Sequence, residues 1–286
     1  MKNQENSNRN IQDYQLLALG ERKSKGRPWA ILTSDETSQT LGLTLKQTAR
    51  LFSRLLLKQR IQQLRRGVYL TPGKLPPGKL WQPSPYEVLW AYMNWLGAKW
   101  QITGLAAFAK YGFSTQVPQI FTVCNDKLSG EIEAGGSRFT FIKVDKEKLG
   151  NTTLFPMIGG IEISFSSKVR TIFDAVYYAN RFGSLPSAYT WIAEMKTDQN
   201  AIHELVHCCL SYGNKQTLSR IGFVLEKLNI DVTLLINEQK KNTTDTLIPL
   251  VPGPRRGKID RRWGIMENKS IFEIFAELEI PDADDT

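Results

Sequence analysis

The chain has 286 residues, is 41% hydrophobic and carries a formal charge of +9, a length at which two domains are expected rather than one. Its three cysteines, two of them adjacent as Cys208-Cys209, exclude a disulfide framework and suit a reducing cytoplasm. The polar start M-K-N-Q-E-N-S-N-R-N and the lack of any long apolar run exclude a signal peptide and a membrane span, so a cytoplasmic protein without a membrane partner is expected.

Residues 1–10 read as a disordered tail, and Ile11 to Leu19 as a first short helix. A turn over Lys23 to Arg27 and a short apolar run from Trp29 to Leu32 lead to a second helix, capped by Ser34 or Asp35 and ending near Gly42. Thr44, followed three residues later by Gln47, is a capping box and starts a third helix. Leu45, Ala49, Phe52, Leu55 and Leu56 fall on one face of it, and Lys46, Arg50, Arg54 and Lys58 form a basic stripe on another. Beyond it, Ile61, Leu64, Val68 and Leu70 flank Arg65-Arg66-Gly67, the pattern of a hairpin turning at glycine. Helix, turn, basic helix and ribbon follow one another in the order of a winged helix-turn-helix, here over residues 11–73.

Five of the 13 prolines lie between Pro72 and Pro85, which marks residues 74–83 as a linker. The rest, residues 84–280, reads as a larger mixed domain. It opens with a helix capped by Ser84 and Glu87, followed by a helix from Thr103 to Tyr111 closed by Gly112. Strands are predicted over Gln119 to Cys124, Arg138 to Val144 and Ile161 to Phe165, then helices over Val169 to Ala179, Ala188 to Met195, Gln199 to Leu210 and Lys215 to Leu228, with a shorter one after Asp231. A strand over Leu247 to Val251, a helix from Ser270 to Leu278 and an acidic tail, 281–286, complete an α+β chain.

The charge is concentrated. Between Glu36 and Glu87 there is no acidic residue, but there are nine basic ones, and the 28 other Lys and Arg residues balance the 28 Asp and Glu residues. A solvated helix usually mixes signs, whereas this one repeats one sign and gains from a polyanionic partner. Double-stranded DNA is the expected partner, with Thr44, Lys46, Gln47, Arg50, Arg54, Lys58, Arg65 and Arg66 as contacts and Gln47 and Arg50 best placed for base edges. Arg255, Arg256, Lys258, Arg261 and Arg262 form a possible second basic patch, beside Trp263.

One pattern points elsewhere. His203-Glu204-Leu205-Val206-His207 is an H-E-x-x-H on a predicted helix, with Glu226 as a conceivable third ligand, and these are the only histidines. The helix needs only Ile202, Leu205, Val206, Cys209 and Tyr212 inward, so the bland amphipathic reading is preferred and no metal or cofactor is expected. A zinc metalloprotease-type stress regulator and a generic winged-helix transcriptional regulator remain the alternatives.

Several segments together resemble the AbiEi family, antitoxins of type IV toxin-antitoxin (abortive infection) systems. They are R-R-G-V-Y from Arg65, I-T-G-L-A-A-F-A-K-Y-G-F from Ile102, R-T-I-F-D-A from Arg170, R-I-G-F-V-L-E-K-L from Arg220, then P-L-V-P and R-R-W-G-I-M-E-N ending at Asn268. The resemblance implies a non-enzymatic DNA-binding autorepressor acting at inverted repeats in its own promoter, as a possible homodimer. It also implies a C-terminal domain that neutralises a nucleotidyltransferase-like toxin without a stable complex. Arg170, Thr171, Asp174, Arg220, Trp263 and Asn268 carry the C-terminal motifs. Gln59-Arg60 stands where such domains usually have a glycine between recognition helix and wing, and Val169 replaces a residue often acidic or polar.

Overall fold

The computed structural model describes residues 2–74, 80–240 and 246–276, with side chains from residue 10 onward. The chain is α+β. Helix α1 (Lys2–Ser24) begins inside the stretch 1–10 expected as a disordered tail. Its packed portion supplies a formed nucleus, and adding residues to an existing helix costs far less than starting one. Strand β1 (Trp29–Thr33) leads into α2 (Ser34–Leu41), whose cap is Thr33 rather than Ser34 or Asp35, its hydroxyl accepting the Glu36 N–H at 3.3 Å. Then follow α3 (Leu45–Leu57), β2 (Gln62–Arg65) and β3 (Val68–Pro72). The sheet runs β1-β3-β2, antiparallel throughout, and Gly67 turns the hairpin at φ 77°.

Helix α4 (Pro85–Trp95) is capped by Ser84 and Glu87 as its sequence signature requires. Strand β4 (Trp100–Thr103) and helix α5 (Leu105–Lys110) occupy the stretch expected as one helix from Thr103, because Gly104 at φ 65° breaks the chain between them. Strands β5 (Ile120–Asn125), β6 (Gly130–Ala134), β7 (Ser137–Lys143), β8 (Thr152–Met157) and β9 (Ile161–Ser166) follow. Helices α6 (Lys168–Tyr177), α7 (Ala179–Phe182), α8 (Ser187–Glu194), α9 (Gln199–Tyr212), α10 (Lys215–Lys227) and α11 (Thr233–Lys240) come next. The chain closes with β10 (Ile248–Pro249), β11 (Lys258–Asp260), β12 (Ile265–Glu267) and α12 (Ile271–Ala276). The expected acidic tail lies outside the described residues.

Two compact units emerge. The first holds Met1–Trp100, Gln119–Lys146 and Leu154–Ser164, and the second holds Gln101–Pro118, Glu147–Thr153 and Phe165–Thr286. Whereas the prolines suggest a division at 74–83, the first unit continues past them. Residues 75–79 of that linker lie outside the described residues, but Trp81 N–H donates to the Gln59 carbonyl at 2.9 Å, and Gln62 Nε2 donates to Trp81 O at 3.2 Å. Strand β2 is also held by Gly135 N–H, which donates to the Gln63 carbonyl at 2.8 Å.

In the first unit, Leu16, Leu17 and Leu19 of α1 pack with Leu32, Leu51, Phe52, Leu55, Ile61 and Tyr69. Phe52 and Tyr69 stack with centroids 3.8 Å apart. There too, β7 pairs with β5 in parallel and with β6 antiparallel. In the second unit, a larger core gathers the inner faces of α6, α8, α9 and α10 around Phe173, Tyr189, Leu205, Phe223 and Trp263. Among the described residues no helix is long and apolar enough to cross a membrane.

Candidate nucleic-acid interface

Helix α3 starts on the capping box its sequence announces. Gln47 N–H donates to Thr44 Oγ1 at 3.3 Å, while Gln47 Oε1 accepts both the Thr44 N–H and the Thr44 hydroxyl at 2.9 Å. That box stabilises the helix start by about 1 kcal/mol. It also fixes what Gln47 can offer. A glutamine reads adenine with both its oxygen and its nitrogen, and here the oxygen is occupied, so Gln47 presents donors only.

The buried side of α3 is Thr48, Leu51, Phe52 and Leu55. The expected apolar face is therefore corrected: Leu45 is 59% exposed and Ala49 is also exposed. The packing surface offered by α1 and β3 selects the 48/51/52/55 side, because it can seat Phe52 on Tyr69. Lys46, Gln47, Arg50 and Ser53 are exposed together with Leu45 and Ala49, giving an outer face that mixes cations, an amide and short apolar groups.

The lower half of the basic stripe is differently placed. Arg54 Nε donates to Asp13 Oδ1 and Lys58 Nζ to Asp13 Oδ2, both at 2.7 Å, and Asp13 is 1% exposed. Two of the four stripe cations thus neutralise a buried carboxylate of α1. Burying that charge unpaired would cost several kcal/mol, so the pairing is required by the core itself.

The helix ends in a Schellman geometry. Gln59 N–H donates to Leu56 O at 2.9 Å and Arg60 N–H to Leu55 O at 3.0 Å, with Gln59 in the left-handed region at φ 50°. Glutamine therefore stands in a conformation that glycine favours. In the hairpin, Arg66 is exposed beside Gly67, while the Arg65 guanidinium carbon lies 5.6 Å from the centroid of Trp95.

The second basic patch divides in the same way. Arg255, Arg256, Lys258 and Arg261 are exposed, but Arg262 pairs with Glu226. Trp263, a possible stacking partner by sequence, is fully buried, its indole N–H donating to Glu226 Oε2 at 2.7 Å. Gly222, one turn before Glu226, lies under that ring: a Cβ there would meet Trp263 ring carbons at 2.2 and 2.3 Å.

The remaining motif residues of the second unit are internal fastenings. Arg220 Nη2 donates to Pro249 O at 3.1 Å, and Asn268 pairs with Val251 through both its oxygen and its nitrogen, at 3.1 and 2.9 Å. Arg170 Nε donates to Asp174 Oδ1 at 2.8 Å, while Asp174 Oδ2 accepts Thr103 and Ser166 hydroxyls at 2.6 and 2.9 Å. Buried Thr171 donates to Ser166 O at 3.3 Å. The Arg170 guanidinium also lies 4.0 Å over the Tyr212 ring. A buried carboxylate so fully bonded is an architectural centre that ties β4, β9 and α6 together. Val169 belongs to the same unit's apolar core. The Arg170–Asp174 pair is an i,i+4 contact that helical spacing offers, whereas the Thr103, Pro249 and Val251 partners were not legible from spacing, since they are close in space and remote in sequence.

The histidines gather no ligand set. His203 and His207 are exposed, and Glu204 Oε1 accepts Ser167 Oγ at 2.6 Å and Asn151 Nδ2 at 3.2 Å. Glu226, the third ligand the zinc reading required, is held by Trp263 and Arg262 instead. Among the described residues no three His, Cys, Asp or Glu side chains lie together as a metal site would require. Cys208 is buried near Arg170, and its pKa is pushed up to about 12, chiefly by desolvation, so it is a packing thiol rather than a nucleophile.

The chain is thus an α+β protein of two compact units, the first holding a helix with an exposed basic face and a hairpin whose Arg65 and Arg66 are exposed. No protein-family model matches it, and no curated protein sequence does. Among solved structures it is similar to the crystal structure of the RV2827C protein from Mycobacterium tuberculosis, at 11% identity and a TM-score of 0.53, covering 88% of this chain and 90% of that one. At that identity the likeness is one of fold.

Proposed function

We propose that the first unit binds double-stranded DNA, with α3 entering the major groove and β2–β3 forming the wing of a winged helix-turn-helix. The observation that carries this reading is the outer face of α3, where Lys46, Gln47 and Arg50 are exposed in a 50-residue stretch without a single acidic side chain. Arg50 reads a base edge, Gln47 donates to acceptors such as guanine O6 or thymine O4, and Lys46 and Arg66 hold phosphates. Arg54 and Lys58, held by Asp13, contribute field more than contact.

With the family resemblance, the same reading makes the protein a non-enzymatic antitoxin that represses its own operon at inverted repeats and neutralises a nucleotidyltransferase-like toxin through its C-terminal part. The test separates the two roles. Arg50→Ala is expected to lose repression of a reporter driven by the chain's own promoter and to weaken cognate duplex more than random duplex. Arg66→Ala is expected to weaken both alike and to flatten the salt dependence by about 0.9 log units. Equal loss by Arg50→Ala on both duplexes removes it from base reading. Growth rescue by the Arg50→Ala variant, on co-expression with the adjacent toxin, supports an antitoxin activity separable from DNA binding; failure of the wild-type chain to rescue ends the antitoxin reading.

A further inference from the structure

The capping box of α3 fixes more than a helix start. Gln47 Oε1 accepts both the Thr44 backbone N–H and the Thr44 hydroxyl at 2.9 Å. An amide oxygen has two lone pairs, and both are thereby engaged. Which end of the amide faces the cap follows from chemistry: a backbone N–H can meet only an acceptor, so the oxygen is turned to Thr44. Gln47 Nε2 is left over, and it makes no hydrogen bond among the described residues.

The neighbouring side chains add nothing of the opposite kind. Lys46 and Arg50 are exposed beside Gln47, and Leu45 and Ala49, exposed with them, are apolar. Lysine and arginine carry donors and no acceptor. The Thr44 hydroxyl is engaged within the box, where it also accepts the Gln47 N–H at 3.3 Å. From Thr44 to Arg50, then, the exposed face presents an ammonium, a guanidinium and an amide reduced to its NH2 group, with no free acceptor.

Base edges in the major groove respond to that difference. Guanine shows two acceptors, N7 and O6; adenine pairs one acceptor with an amino donor, cytosine shows an amino donor, and thymine sets one acceptor beside a methyl group. The usual glutamine contact with adenine needs the amide oxygen on the N6 amino group. A glutamine whose oxygen is occupied sets a donor against that donor, and leaving such groups unpaired is costly. Guanine takes donors at both of its groove atoms.

We infer that α3 is a guanine reader, in which Gln47 and Arg50 each stand on a guanine and Thr44, by holding the Gln47 oxygen, is the positioning residue that rejects adenine. The inference rests on the DNA binding proposed above and assigns the bases that this binding selects.

The full-length chain is used to select from a randomised duplex library, and the selected duplex is titrated by anisotropy. At the position whose preference Gln47→Ala removes, the wild-type chain is expected to take guanine over adenine by at least about tenfold. Replacing that guanine by 7-deazaguanine, which keeps its pairing with cytosine but lacks the N7 acceptor, is expected to weaken the wild-type chain and to leave Gln47→Ala unchanged. Gln47→Glu keeps the box, because glutamate serves that position as well as glutamine does, but its second oxygen is an acceptor. Adenine is then expected to be taken over guanine. Adenine chosen by the wild-type chain, a guanine preference that survives in Gln47→Glu, equal loss of both chains on 7-deazaguanine, or an unaltered profile in Gln47→Ala overturns the inference and leaves DNA binding in place. A wild-type chain that enriches no sequence overturns sequence reading by α3 as a whole.

Discussion

Asp13 of α1 and Arg54 of α3, 41 residues apart, meet at 2.7 Å, and the same carboxylate takes Lys58 through its other oxygen. The contact joins the stability of the first unit to the charge that its α3 face presents. The cations that pair with Asp13 remain 24% and 41% exposed, so solvent already screens part of the interaction.

Asp13→Asn keeps the shape and removes the charge. DNA affinity is expected to rise, and the salt dependence to steepen by up to about 0.9 log units for each further phosphate that Arg54 or Lys58 reaches once released. Stability falls, by less than the about 3–5 kcal/mol of a fully buried pair. Anisotropy titrations across salt concentrations, with a denaturant melt alongside, check both; an unaltered slope would show that the pair never restrained the interface.

Gln59→Gly is expected to stabilise the chain. A residue with a Cβ at φ 50° is strained by about 1–2 kcal/mol, of which glycine returns roughly half after its own entropy cost. Urea denaturation is expected to show a gain of about 0.5–1 kcal/mol. A loss would mean that the Gln59 side chain supports the turn.

Gly222→Ala reverses the usual helix rule. Alanine normally gains about 1 kcal/mol over glycine inside a helix, but here the new Cβ falls 2.2 Å from the Trp263 ring. The ring must move, and with it the 2.7 Å bond to Glu226. A net loss of about 2–4 kcal/mol is expected from overpacking and a strained buried donor, read as a lower melting temperature; a neutral effect would place Trp263 elsewhere.

Alkaline pH is expected to destabilise the second unit through Cys208. Its folded pKa of about 12 lies above the ordinary thiol value of 9.0, so folding holds a proton that the unfolded thiol gives up. The stabilisation is full below pH 9 and declines from there toward about 12, by at most about 1.4 kcal/mol per pH unit. Cys208→Ala is expected to flatten the decline in melts above pH 9. In the native chain at pH 8, a thiol reagent is expected to leave Cys208 unmodified; rapid native labelling would contradict its burial.

Sequence alone determined what depends on neighbours along the chain. The capping boxes at Thr44 with Gln47 and at Ser84 with Glu87 were legible because donor and acceptor sit three residues apart and the helix brings them together unaided. So were the Gly67 turn and the local excess of positive charge. Short strands such as β4, β11 and β12 were not, because three or four residues show no alternation until a neighbouring strand completes them. The tertiary structure decided which face of α3 turns outward and which cations stay available on it. Asp13, Trp95 and the α1 surface lie tens of residues from the side chains they hold, and only packing brings them there. For the same reason it decided that Trp263 and Asp174 serve the core: a charge or an indole becomes architectural when its partners, Glu226 and Thr103 here, arrive from distant segments to bond it.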